Sequence, residues 1–509
     1  MASEMRELVI RRGGRRLTVV VGSLLALSTV YLASMLCGYL FSIATIQRHH
    51  VESASYIFAA VWLITAVIRS PSVSLERIAH RTTATPWISL ALIASTAALY
   101  ANTLFLGLFS DDFVLVQKAL GQEWMAQSEF VRPLPLAVWG LLLAITRNPA
   151  VLHAFSIALH GVNAALVYVL ALQLGLRTSS AALAAGLFAA FPASVETVVW
   201  PAAVHDLLVA VCALAFVLLA RQGRSWLGLG APTLLLIVGL LSKESAVAIP
   251  VLASVVWLGR GGIDDNRAWR VILLGAAVCA VYGVVRMTLV AVPASFAQVP
   301  TRYMLKELIA RPIATLTIPW NTAFFRSWAV VPFLWAAGWV AAAATYAWST
   351  TKGVPVHIVV RCVIAAFVAV LPVYSLLFVT PDLENARYLY LSTAFWVIAL
   401  VALVSPLDGL TPGRVLVLAA AIAVGVVGVQ VHLTSWRDAA QVREQVLAAA
   451  ANTLKTARCS PVSFVGAPDS VRGAYVFRNG LSEAILFRTG TVPAPGGNCT
   501  FVWNGSEFQ

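Results

Sequence analysis

Between Phe109 and Pro133 the chain reads FSDDFVLVQKALGQEWMAQSEFVRP, a polar interruption between two long apolar runs. Two adjacent carboxylates, Asp111 and Asp112, open the stretch, and Arg132 before Pro133 closes it. A paired acid just outside a membrane helix, followed by an amphipathic segment, fits a catalytic loop pressed against a bilayer. Helix capping is the competing reading, because Ser110 and the two aspartates can satisfy the free amides of a helix start. The rest of the chain decides which setting these residues occupy.

Of the 509 residues, 60% are hydrophobic and 11% are charged, and the mean hydropathy is +0.84. An average soluble domain carries about 25% charged residues. Apolar runs of about twenty residues recur, the length that crosses a hydrocarbon core of about 30 Å as a helix. Alternating strand patterns of the barrel type are missing, and a helix satisfies its own backbone in lipid. The sequence therefore predicts an all-α integral membrane protein, a multi-helix bundle of about thirteen transmembrane helices. Their expected positions are near 17–46, 53–68, 87–109, 150–174, 180–195, 204–220, 226–241, 245–259, 269–292, 328–348, 356–379, 386–405 and 413–433.

The net charge of +13 does not point to nucleic acid, because the excess lies in short loops between apolar runs. That distribution reports orientation through the positive-inside rule. It gives a cytoplasmic tail over 1–16 and a transmembrane domain over 17–433, and places the catalytic loop 110–149 and a second loop 293–327 outside. Residues 301–311 read as an outer-face juxtamembrane helix. The tail 434–509, richer in Gly, Pro and Arg, reads as a small α+β domain outside the membrane. A Cys459–Cys499 disulfide would suit an oxidising compartment there. The setting implied is a multi-pass protein of a bacterial inner membrane, with the carboxyl terminus in the periplasm.

With this orientation, the ionisable residues cluster near the outer side: Asp111, Asp112, Arg132, Glu196, His205, Asp206, Lys243, Glu244, Arg286, Glu384 and Arg387. Charges beside membrane helices are costly and usually face a cavity or a partner. Several have plain structural readings. Arg132 can snorkel to the interface, Lys243 and Glu244 can pair across a tight turn, and His153 and His160 suit buried, hydrogen-bonded positions better than metal ligation. Together the cluster suits transfer from a lipid-linked phosphate, with a carboxylate as general base and cations holding the phosphate as it leaves.

The motif DDF at 111–113 resembles the acidic motif of the first outer loop in the GT-C glycosyltransferase superfamily, whose members use polyprenyl-phosphate sugars. Five further blocks follow in order: FVRPLPLAVW at 130–139, HGVNAALVY at 160–168, FPASVETVVWPAAVHDLL at 191–208, LLSKESAVAIP at 240–250 and ENARYLYLS at 384–392. They resemble the membrane part of the transmembrane, tetratricopeptide-repeat O-mannosyltransferases and their bacterial relatives. The resemblance implies a GT-C-like bundle and an outer-loop acid, Asp111 or Asp112, as base. By charge and side, Arg132, Lys243, Arg286 and Arg387 are the expected contacts of the donor phosphate. Glu196, His205, Asp206, Glu244 and Glu384 are the expected lining of the substrate pocket.

The expected activity is inverting transfer of a sugar from a polyprenyl-phosphate donor to a hydroxyl of a glycan, lipid or protein acceptor, with membrane lipids as surroundings. Polyprenyl phosphate is a good leaving group, so no metal or cofactor is required, although a divalent ion between phosphate and carboxylates fits the chemistry. No tetratricopeptide array follows the membrane part, and His205 stands where relatives carry a basic residue. A non-catalytic transporter of lipid-linked sugars, or an assembly subunit for envelope glycans, is the alternative.

Overall fold

The computed structural model describes residues 85–123, 132–220, 227–257, 265–289, 312–313, 315–317, 319–324, 355–376, 379–405, 410–457, 461–493 and 499–508. The expected spans near 17–46, 53–68 and 328–348, the tail 1–16 and the juxtamembrane helix 301–311 lie outside these residues. The described chain is predominantly helical. Seven of its helices are long and apolar enough to cross a membrane, or up to eight if a bent pair is one span. This is the architecture of a multi-pass membrane protein.

Helix α1 spans Thr85–Tyr100 and continues as a 3-10 turn to Phe105, so the run expected to stay helical to 109 ends earlier. The stretch expected to be an outer loop is largely helical: α2 is Asp111–Leu120 and α3 is Pro133–Ile145. Proline opens α3, where a missing amide hydrogen costs nothing. Helix α4, Ala150–Leu174, coincides with its expected span.

The next expected span, 180–195, is broken. Helix α5, Thr178–Ala189, stops before Pro192, and a 3-10 turn leads into α6, Val195–Val199. The two halves are bent by 50°, because proline cannot supply the amide that would continue the first. Helices α7 (Val204–Ala220), α8 (Leu227–Ser242), α9 (Ile249–Trp257) and α10 (Asp265–Leu289) follow, then α11 (Val356–Val370) and α12 (Tyr390–Val404).

Helix α13, Pro412–Thr456, is 45 residues long. At 1.5 Å per residue it extends about 68 Å, roughly twice the hydrocarbon thickness. The boundary expected at 434 is therefore inside one continuous helix. Its apolar first half packs at the break between α5 and α6. A Cβ on Gly425 would stand 2.5 Å from the Ala190 carbonyl oxygen, and one on Gly428 would stand 2.5 Å from Pro192. Only glycine permits that approach.

The second half of α13 carries the carboxy-terminal domain. Strands β1 (Val462–Val465) and β4 (Cys499–Val502) pair in parallel, while β2 (Ser470–Val471) and β3 (Ala474–Tyr475) form a short antiparallel pair. Helix α14 is Leu481–Thr489. Cys499 is disulfide-bonded, and Cys459, its expected partner, lies outside the described residues. Two apolar clusters organise the molecule. One joins α4, α5, α7 to α9, α11 and α12. The other joins α2 and α3 to Trp200, the later part of α13 and the carboxy-terminal domain. The second cluster positions the acidic turn.

Candidate functional site

The acidic turn is built by its two carboxylates doing different work. Asp112 is fully buried. Its Oδ2 accepts the Phe109 amide at 2.8 Å, and its Oδ1 accepts the Ala202 amide at 2.7 Å. It thus ties the start of α2 both to its own turn and to the 3-10 turn Pro201–Ala203 that precedes α7. Burial pushes its carboxyl well above the ordinary carboxylate range, outweighing the two amide donors. Asp111, one residue earlier, is half-buried. Its Oδ1 accepts the Asn479 side-chain amide at 2.6 Å.

Ser110, at the N-cap of α2, has φ 44°, a region that costs a residue with a Cβ. Its hydroxyl makes no capping bond to α2. The carboxy-terminal domain holds it instead: the Ser110 amide donates to the Val476 carbonyl at 2.9 Å, and the Asn479 amide donates to the Ser110 hydroxyl at 3.1 Å. Arg443 on α13 braces the approach from the other side, donating to the carbonyls of Leu106 and Leu108, each at 2.7 Å.

Trp200 links this turn to the cationic cluster. Its indole donates to the Phe109 carbonyl at 3.3 Å, and its ring lies 4.8 Å from the Arg387 guanidinium. Arg387 is paired with Glu196, whose carboxylate also accepts the Arg387 backbone amide at 3.1 Å. The guanidinium donates further to the hydroxyls of Tyr475 at 2.9 Å and Tyr388 at 3.1 Å. A largely buried guanidinium needs this many acceptors to offset its lost hydration. Burial also raises the pKa of the Tyr475 phenol, keeping it neutral as a donor to Asn385 at 3.0 Å.

Two more ion pairs stand in the same cluster. Lys243 donates to Asp206 at 2.5 Å and lies 4.8 Å from the Tyr388 ring. Arg132 donates to one oxygen of Glu244 from Nε at 3.0 Å and from Nη2 at 2.8 Å. Lys243 and Glu244 therefore do not pair with each other across their turn. The Lys243 backbone is extended and Glu244 begins a 3-10 turn, which sends the two side chains to different helices. Tyr282 on α10 lies within electrostatic reach of Glu244, Arg286 and Arg132, which brings the end of α10 to the same group. His205 is buried among Arg132, Lys243 and Arg387, and its Nδ1 has no hydrogen-bond partner. Glu384 accepts from Arg478 at 2.6 Å, and burial raises its pKa.

The expected site residues are thus brought together at one end of the bundle. Exposure differs by pair: Arg132 and Glu244 are 16% and 22% exposed, Lys243 and Asp206 5% and 12%, and Arg387 and Glu196 14% and 0%. Sequence reasoning missed Trp200, Tyr388, Tyr475, Arg478 and Asn479. The first two lie inside the quoted blocks, but nothing in the pattern ties the distant segment 475–480 to residue 111. His153 and His160 are buried and hydrogen-bonded as expected, His153 with the Gly107 carbonyl at 2.8 Å and His160 with the Tyr390 hydroxyl at 2.7 Å. Among the described residues, no group of three or more His, Cys, Asp or Glu is placed to hold a metal ion. Comparison with protein-family models gives no match, and neither does comparison with curated proteins.

Proposed function

We propose that the chain is an inverting glycosyltransferase of the GT-C type, moving a sugar from a polyprenyl phosphate to an acceptor hydroxyl. The observation that carries this reading is the division of labour at 111–112. Asp112 has both oxygens committed to backbone amides, whereas Asp111 keeps a half-buried carboxylate with one oxygen bound. That carboxylate belongs to the same end of the bundle as Arg132, Lys243, Arg286 and Arg387. Asp111 acts as the base: it takes the proton of the acceptor hydroxyl as the acceptor oxygen attacks the anomeric carbon. The bond from that carbon to the phosphate oxygen breaks, and the lipid phosphate leaves with the electron pair.

Among the cations, Arg132 is the best placed to meet the phosphate, because its pair with Glu244 is the more exposed. An incoming phosphate can share or displace that carboxylate. Lys243 sits deeper, and Arg387, although 14% exposed, is matched by the fully buried Glu196; these two hold the frame that the phosphate meets. The protein belongs, on this reading, to a bacterial inner membrane, with its amino terminus cytoplasmic and its site and carboxy-terminal domain periplasmic.

The test is transfer by the purified chain in lipid nanodiscs, using polyprenyl phosphate carrying a labelled hexose and envelope extract as acceptor source. Loss of a general base lowers the rate about 10²–10⁴-fold, so Asp111→Asn is expected to lose transfer on that scale. Full transfer by Asp111→Asn would refute the base. Binding of polyprenyl phosphate without any transfer by the unaltered chain would favour a transporter instead.

A further inference from the structure

Residues 475–480, Tyr-Val-Phe-Arg-Asn-Gly, leave the short β3 strand and enter α14, yet nearly every one has a partner in the membrane domain. The Tyr475 hydroxyl meets Arg387 and Asn385. Val476 gives its carbonyl to the Ser110 amide, and Phe477 stacks on Phe113 with ring centres 6.5 Å apart. Arg478 pairs with Glu384 at 2.6 Å. Asn479 uses its backbone amide on the Ser110 hydroxyl and its side chain on Asp111.

The closeness of this contact is set by Gly480. Its φ is +80°, and a Cβ there would stand 2.5 Å from the Ser110 carbonyl oxygen. Only glycine tolerates both conditions, so the segment is shaped to lie against the turn. In return, the turn holds Ser110 at positive φ, a conformation that persists where its surroundings over-determine it. The two segments each contain the backbone feature that the other requires.

We infer that the carboxy-terminal domain is part of the catalytic apparatus, and that Asn479 is a positioning residue that fixes the Asp111 carboxylate. This rests on the role of Asp111 as base in the proposed function. The Asn479 amide holds Oδ1 at 2.6 Å. Among the described residues, no hydrogen bond occupies Oδ2, which is then the oxygen turned to the acceptor hydroxyl. A free carboxylate on the first turn of a helix can sample several rotamers. One fixed oxygen selects the rotamer that aims the other, which is how positioning lowers a barrier.

The experiment exploits the near-identical shapes of Asn and Asp. In Asn479→Asp the packing is kept, but an acceptor carboxylate replaces the donor amide beside Asp111. In Asn479→Ala the donor is removed and nothing repels. Using the same labelled polyprenyl-phosphate hexose, Asn479→Ala is expected to lose about tenfold in kcat, the rate factor for 1.36 kcal/mol of barrier. Asn479→Asp is expected to lose more, and donor KM should stay within about twofold in both, since the proposed donor contacts are Arg132, Lys243, Arg286 and Arg387 and not residue 479.

A thermal measurement supplies a second readout that needs no turnover. Asn479→Asp lowers Tm through carboxylate repulsion, and adding Asp111→Asn restores the hydrogen bond with donor and acceptor exchanged. The double variant should therefore regain Tm without regaining transfer. If Asn479→Asp is as active as the unaltered chain, or more active than Asn479→Ala, the contact is packing alone and the inference falls. It also falls if the loss lies in KM, or if the double variant does not regain Tm. Full transfer by Asp111→Asn would instead overturn the proposed base, whatever the Asn479 variants do.

Discussion

The Glu196–Arg387 pair offers the sharpest test of how this protein carries charge at the edge of its bundle. Glu196 is fully buried and Arg387 keeps 14% of its side chain exposed. Three rings surround the guanidinium: Trp200 at 4.8 Å, Tyr388 at 4.6 Å and Tyr475 at 5.6 Å. Replacing Arg387 by Met keeps most of the volume but strands a carboxylate with no access to water. Breaking a buried pair from one side costs about 3–5 kcal/mol, whereas replacing both partners by apolar groups is often neutral. Arg387→Met alone is therefore expected to lose about 3–5 kcal/mol of unfolding free energy in detergent, measured by denaturant titration followed by tryptophan fluorescence. The combination of Arg387→Met with Glu196→Leu should recover most of that loss, less the contribution of the Tyr388 and Tyr475 hydroxyl contacts. If the double variant is destabilised by the sum of the single effects, the two side chains are not energetically coupled and the cage described here is wrong.

Asp112 makes a pH prediction. Burial raises its carboxyl in the folded chain, so the native state holds the proton more tightly than the unfolded chain does. Its stabilisation is full below the unfolded value of about 3.9 and is lost as pH rises through the higher folded value. Unfolding free energy should accordingly fall as pH climbs from about 4, and Asp112→Asn should remove that part of the slope; an unchanged slope would refute the assignment. Gly428→Val pushes a Cβ to within 2.5 Å of Pro192, and overpacking of this kind costs about 1–3 kcal/mol or more. The monodisperse fraction on size-exclusion chromatography should drop, with little change for Gly413→Ala, whose Cβ meets nothing within 4 Å.

The sequence was informative wherever the physics is local. Hydropathy and length placed α4 and α7 to the residue, because a span must fill the hydrocarbon thickness and end in polar loops. Where the chain bends inside the apolar region, length misled: Pro192 splits a run that reads as one span, and α13 continues 23 residues past its expected end, from 433 to Thr456. The two acids of the pair differ in the folded chain, since Asp112 ties backbone amides together while Asp111 is half-buried and accepts from the Asn479 side chain. Adjacent acids in a sequence cannot reveal this, because the difference comes from Ala202, which lies 90 residues away.

Pairing among charges is the least local property, and there the sequence was least informative. Charge and side gathered Arg132, Lys243 and Arg387 into one group but could not assign their partners. Lys243 and Glu244 are neighbours, yet Lys243 reaches back 37 residues to Asp206 and Glu244 accepts from Arg132 across 112. The outcome matters for chemistry, because a cation fully matched by a buried acid is a frame, whereas one matched by a partly exposed acid can exchange partners. By that criterion the pairs form a gradient, from the Glu196–Arg387 cage to the more open Arg132–Glu244 pair. On the proposed function, a donor phosphate would exchange with Glu244 at the more open pair first. The buried pairs behind it would keep the site in register while the exchange takes place.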